Sequence, residues 1–348
     1  MTVSVKIKEV IPLVKRVLAA RLVPMIHGSP AIGKSDVVRK IAHDSNLKVV
    51  DVRLSTYDPA DMNGLPSMVK GEKRNIAEYV PFDVFPIAGD PMPKDDQGNE
   101  MNGWIIFLDE LPSAAPSVQA AAFKLILDRA VGQHTLHPKA FIVAAGNMED
   151  DGAIVNPLPT PLQSRMINFK VVTDLTSFLH WALPNGLDYR ISAFLEFKPD
   201  LVHAFNPNHD DLTFAAPRTW MFLNKLIKGK PVDKSDMALI AGCVGSGVAA
   251  EFLSFVKVFE SIPKIADIIA SPKTVRVPVD NPSVLFALGG AIAEHADKKN
   301  IAAFTQYVEG MPMEFQVVTF RQIFGRKPEL GEETCVDDWI NKYGDELF

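Results

Sequence analysis

Cysteine is scarce in this chain. Cys243 and Cys335 are the only two in 348 residues, and neither sits in a zinc-finger or CxxC spacing. That excludes a disulfide-built scaffold and a thiolate-ligated metal. Both read as free thiols of a reducing compartment, so a cytoplasmic location is expected. Long hydrophobic runs are missing too. The longest uncharged apolar stretch, Met237 to Ala250, is too short to cross a bilayer and holds three glycines. No segment reads as a secretory leader, and no membrane span is expected. Excess positive charge is also absent. Lysine and arginine number 36 against 42 acids, for a net charge of −6, which disfavours broad nucleic-acid binding. Neither an internal repeat nor a low-complexity tract occurs.

What is present is a large apolar fraction, 47% of the chain, enough for two or three domains. Short, nearly continuous apolar runs alternate with helical patterns in the first 170 residues. They are Leu22–His27, Lys48–Leu54, Trp104–Leu108, Ala140–Ala145 and Met166–Val172. Such runs suit a parallel sheet covered on both faces, hence a doubly wound α/β domain. Residues 1–20 read as an amphipathic helix. After Val172 helical patterns dominate: Leu175–Leu183, Tyr189–Phe197, Trp220–Ile227 and Met237–Phe259. Ser271–Asp280 reads as an extended linker, and a helical segment from Pro282 to the C-terminus follows. The expected partition is 1–173, 174–270 and 271–348. Within the first part, Thr56–Met101 lacks periodicity and is expected to be irregular, of the kind that serves function.

The sharpest motif is Gly28-Ser29-Pro30-Ala31-Ile32-Gly33-Lys34-Ser35, which fits G-x-x-x-x-G-K-[ST] between a predicted strand and a predicted helix. In that setting the glycines let backbone N–H groups wrap a phosphate at a helix N-terminus. Lys34 then reaches the β- and γ-phosphates, and the Ser35 hydroxyl ligates Mg2+. Ile105-Ile106-Phe107-Leu108-Asp109-Glu110 is an apolar strand ending in two acids. Paired with the phosphate loop, Asp109 is the candidate to hold the Mg2+ of MgATP, and Glu110 to polarise the attacking water. Asn147 ends a third apolar strand and could bond that water or the γ-phosphate.

Taken in order, these motifs resemble a AAA+ ATPase of the MoxR type. So do LPTPLQSRMINF (Leu158–Phe169), VQAAAFKLILDRAVG (Val118–Gly132) and Ala216-Pro217-Arg218-Thr219-Trp220. The similarity spans roughly residues 20–260. It implies a P-loop α/β domain, a helical lid and a helical extension, assembled as a ring, usually a hexamer, with ATP at subunit interfaces. Carried over residue by residue, Asn147 matches the first sensor, Arg165 the arginine finger that reaches a neighbour's γ-phosphate, and Arg218 the second sensor. Arg129 is a second candidate for a charge acting across the interface. The segment Thr56–Met101 matches the family's insert within its second helix, and Ala130–Lys139 reads as a β-hairpin. In the family both face the pore or its rim, where a protein client is expected. Lys70, Lys73 and Arg74 form a small basic cluster there.

His134 and His137 are too poorly disposed on such a hairpin to chelate, so no protein-ligated structural metal is expected. Gly242, Gly245 and Gly247 read as allowing close helix packing. Many relatives work with a von Willebrand A domain, and none is visible here, so the resemblance implies one in trans. A remodelling ATPase, a nucleic-acid translocase and a nucleotide-gated structural ring all remain open at this point.

Overall fold

The computed structural model describes residues 3–70, 75–148, 151, 156–208 and 211–343. The chain divides after Val172 into two compact units, Met1–Val172 and Thr173–Phe348.

The first unit is built on a six-stranded sheet. Its strands are β1 (Ser4–Lys6), β2 (Val23–His27), β3 (Lys48–Arg53), β6 (Trp104–Asp109), β9 (Ala140–Gly146) and β10 (Met166–Val172). Their order is β1-β10-β2-β9-β6-β3, and every ladder is parallel. Alternate side chains go to opposite faces, as a period of two demands. From β6, Ile105 and Phe107 join a cluster with Val10, Val14, Val38 and Ile41. These come from helices α1 (Ile7–Ala19) and α2 (Lys34–Asp44). Ile106 and Leu108 join the opposite cluster with Val118, Ala122 and Leu125, from α4 (Pro116–Asp128). All six residues of β6 are buried. Burying each large aliphatic chain contributes about 1.5–3 kcal/mol, so the central strands are firmly fixed. A single turn of helix, α5 (Thr160–Gln163), leads into β10.

Two expectations need correction here. Residues Ser4–Lys6 are not helical but pair with Lys170–Val172 at the sheet edge, and the helix begins at Ile7. The segment Thr56–Met101 is not irregular throughout. It carries α3 (Pro59–Asn63) and an antiparallel hairpin of β4 (Leu65–Lys70) and β5 (Asn75–Val80). No second helical half follows the hairpin before β6 among the described residues, so the insert does not interrupt a continuous helix. The hairpin is exposed on both faces. Lys70 is exposed with it, while Lys73 and Arg74 lie outside the described residues. Strands β7 (Ala130–Val131) and β8 (His134–Thr135) form the second, expected hairpin. The His134 ring bonds the Tyr79 carbonyl at 2.9 Å, tying the two hairpins together.

The second unit is helical among its described residues. It contains α6 (Leu175–Ala182), α7 (Tyr189–Phe197), α8 (Pro217–Ile227), α9 (Met237–Val244), α10 (Ser246–Val256), α11 (Ile265–Ala270), α12 (Pro282–His295), α13 (Ile301–Val308), α14 (Met313–Arg326) and α15 (Thr334–Tyr343). The expected helix 237–259 is broken at Gly245, whose φ of +89° suits glycine. A side chain at Gly242 or Gly247 would meet open space, so the close-packing reading of these glycines does not hold. Close packing occurs instead at Gly290 of α12, where an added Cβ would lie 3.0 Å from the Tyr189 carbonyl of α7. Gly289 beside it faces Thr319 of α14. Helix α12 thus joins α7 to α14, and residue 270 marks no break between compact units. Ser271–Asp280 forms no strand, and its Val275 and Val277 pack on the cluster built by α11 to α15.

Candidate functional site

The ladders bring the motif residues together. His27 pairs with Gly146, Leu108 with Ala144, and Arg53 with Asp109. The phosphate loop, Asn147, Glu110 and the turn after β3 therefore emerge side by side at the carboxyl edge of the sheet, where ligands of such sheets bind.

The loop's shape follows from its residues. An added Cβ at Gly28 would fall 2.7 Å from the carbonyl oxygen of Val171, so only glycine lets β10 pass this closely. Gly33 has φ +101° and Ala31 φ +64°, which turns the backbone into a concave run of N–H groups opening onto the start of α2. The Lys34 ammonium lies inside this curl. It donates to the carbonyls of Gly28 and Ser29 at 2.5 and 2.9 Å, and to Asn147 Oδ1 at 2.8 Å. A phosphate would compete for the same ammonium.

Ser35 Oγ donates to Asp109 Oδ2 at 3.3 Å. Burial pushes the Asp109 carboxyl above its usual range. The charges of Glu110 and Asp51 add to this, against the backbone N–H of Glu110 and the charge of Lys34. A hydroxyl beside a buried carboxylate with acidic neighbours is a donor set suited to a hard divalent cation, so the residues fit Mg2+.

Glu110 has a left-handed backbone, φ +58°, at the strand end. Its carboxylate accepts from Ser55 Oγ and lies 3.9 Å from Arg53 Nε. Neither partner stood out in the sequence. Their only signal was position, Arg53 at the end of β3, the strand that neighbours β6, and Ser55 two residues beyond it. Asp151 was also missed. It is buried, and its carboxylate accepts from Ser29 Oγ at 2.9 Å and from the Met148 N–H at 3.0 Å.

The arginines are placed elsewhere. Arg165 is exposed just before Met166, which pairs with Val23 at the amino edge of the sheet. It donates to the Pro161 carbonyl at 2.8 Å and lies over the Phe123 ring. A strand's length, roughly 16 Å at about 3.3 Å per residue, separates it from the phosphate loop of its own chain. Arg129 is at the amino edge too. Its guanidinium donates to the carbonyl of Ala140, the first residue of β9, and burial lowers its pKa, with Arg21 nearby adding to this. Arg218 is exposed in the first turn of α8, in the second unit. His134 and His137 are engaged separately: the His137 ring packs edge-on against Trp104 and accepts from Lys139 N–H.

No family model matches this chain. No curated protein matches it either. Among solved structures, a candidate ATPase from Cytophaga hutchinsonii is similar over 99% of this chain and 91% of its own, at 13% identity and a TM-score of 0.36. A likeness that low adds nothing to the geometry above. What the fold and site define is a parallel-sheet α/β unit with a P-loop at its carboxyl edge. No helix among the described residues is long and apolar enough to cross a membrane.

Proposed function

We propose that this protein is an ATP-hydrolysing AAA+ ring protein of the MoxR type that remodels a protein client. The observation that carries the reading is the Lys34–Asn147 contact beside the Ser35–Asp109 pair, at the carboxyl edge of a parallel sheet. The loop N–H groups and Lys34 bind the triphosphate, and Ser35 with Asp109 hold Mg2+. When bound, the ion would neutralise charge on the phosphates. Glu110 draws a proton from the attacking water, and Asn147 orients the water or the γ-phosphate. Arg165 completes a neighbouring subunit's site, which makes the active form an oligomer, taken to be a hexamer. Arg218 is taken as the second sensor, as the resemblance implies. The reading draws support from the exposed arginine at the edge remote from its own P-loop. A von Willebrand A domain partner in trans and a protein client at the hairpins complete the proposal. Leu65, Met68 and Val80 leave more than half their surface exposed on the β4–β5 hairpin, as a client-binding element would.

Glu110→Gln tests it. The variant should bind ATP like wild type and hydrolyse it at least about 100-fold more slowly. It should also retain a protein client in a pull-down with ATP. Turnover near the wild-type rate removes Glu110 as base. Stimulation by DNA that vanishes at higher salt would favour a translocase instead.

A further inference from the structure

The chemistry proposed for the site leaves one buried acid without a task. Mg2+ falls to Ser35 and Asp109, and proton transfer to Glu110, yet Asp151 sits beside the phosphate loop with only 8% of its surface exposed. Both its oxygens are engaged, and by different elements. One accepts the hydroxyl of Ser29 in the loop, at 2.9 Å. The other accepts the N–H of Met148, the residue after Asn147, at 3.0 Å. Asn147 and the Ser29 carbonyl in turn share the Lys34 ammonium. A closed circuit therefore runs from Lys34 to Asn147, through Met148 to Asp151, and through Ser29 back to Lys34.

We propose that Asp151 is a positioning residue, a charged latch that fixes Asn147 against the phosphate loop and weakens nucleotide binding in doing so. The proposal rests on the ATPase reading and concerns regulation of that same site. Two physical effects oppose each other. The two hydrogen bonds hold the end of β9 at a set distance from the loop, which sets where the Asn147 amide meets a γ-phosphate or its water. Small displacements of such a group reduce turnover strongly. The negative charge, however, stands beside a loop whose ligand is an anion. At an effective dielectric of about 20, a unit charge acts over on the order of 10 Å with an effect of about tenfold in affinity. A residue that served only to brace the loop would, when weakened, loosen ATP binding. A charged latch, when neutralised, should tighten it.

Asp151→Asn makes the distinction. The carboxamide keeps an acceptor for Ser29, loses the acceptor for Met148 N–H, and carries no charge. ATP affinity, measured by calorimetry on the full chain, should rise about tenfold, while kcat falls about tenfold or more. Asp151→Glu, which restores the charge, should return affinity to the wild-type value. Ser29→Ala removes one arm and leaves the charge, so kcat should fall with affinity within about twofold. Unchanged or weaker ATP binding by Asp151→Asn, with a normal thermal melt, overturns the proposal, as does an unchanged kcat. If Asp151→Asn fails to fold, Ser29→Ala decides, and wild-type turnover in that variant overturns the latch. Lys34→Ala separates the two readings. If it binds ATP normally, the ATPase reading and the latch fall together. If it loses ATP while Asp151→Asn behaves as wild type, only the latch falls.

Discussion

The Lys34 ammonium and the Asn147 amide oxygen lie 2.8 Å apart although 113 residues separate them in the chain. Strands β2 and β9 pair in parallel, and each ends one residue before its polar contribution: His27 before the loop, Gly146 before Asn147. The sheet, rather than any local turn, sets this distance.

Removing the Asn147 amide should therefore separate binding from chemistry. Asn147→Ala leaves Lys34 and the loop N–H groups for the phosphates, so ATP affinity should stay within a few-fold of wild type. Turnover should drop about 100-fold, the scale for deleting one positioned polar group. Calorimetry and steady-state kinetics on the same preparation check both halves. Equal losses in affinity and turnover would make Asn147 a binding residue.

Ser55 and Arg53 engage both oxygens of Glu110. To take a proton from water, the carboxylate must offer one of them. Ser55→Ala should raise basal turnover by up to about fivefold, the worth of one hydrogen bond of about 1 kcal/mol. ATP affinity should not move. A fall in turnover would mean that Ser55 aims the base rather than restraining it.

The helical unit should carry a pH dependence of its own. Glu196 of α7 is buried, and burial pushes its carboxyl up to about 8, against the Gln322 hydrogen bond and the charges of Arg321 and Arg326, which favour ionisation. Its folded pKa is thus above its unfolded one. The folded state holds the proton more tightly, so the stabilisation is full below the unfolded value and is lost as pH rises toward 8. Every tenfold gain in proton affinity corresponds to about 1.4 kcal/mol, so the loss is on the order of a few kcal/mol. Glu196→Gln keeps an acceptor for the Gln322 amide and cannot ionise. Thermal melts should show the variant gaining on wild type between about pH 4.5 and 8, the window bounded by the unfolded and folded values. A constant difference across that range would rule out Glu196 as the titrating group.

Much of this arrangement was legible in the sequence, and the reasons are specific. Strands β2, β6 and β9 are buried on both faces, so they read as unbroken apolar runs, and the motifs follow directly at their ends. The β4–β5 hairpin escaped because neither face is covered. Leu65, Val69, Ile76 and Val80 share one face while Met68 and Tyr79 sit on the other, so no period-two contrast survives. Strand β1 is three residues long and merges into the helix pattern after it. Ser55 and Asp151 carry no local signature. They matter through partners 55 and 122 residues away, and only the ladder order brings those together. The break at Gly245 was hidden because it falls inside the uncharged stretch Met237 to Ala250, which reads as one continuous run.

The decisive prediction concerns Arg165, because its position divides a shared site from a self-contained one. It is exposed at the amino edge of the sheet, a strand's length from its own P-loop, with Phe123 and the Pro161 carbonyl steadying its guanidinium. If it stabilises charge on a neighbour's γ-phosphate, Arg165→Ala should bind ATP nearly as wild type does. Turnover should fall about 1,000-fold, within the range a finger arginine supplies. Lys34→Ala fails for the opposite reason, since it lacks a working P-loop but keeps the finger. Mixed oligomers of the two contain some interfaces with an intact P-loop from the first variant and an intact finger from the second. Activity above the sum of the two separate rates should therefore appear on mixing. Arg129→Ala serves as the comparison. Its guanidinium is held by the Ala140 carbonyl, so its loss should lower the melting temperature and leave turnover per folded subunit near wild type. Mixed oligomers shown by a tagged pull-down, yet without recovered activity, would remove Arg165 from the neighbouring site and with it the argument for a ring.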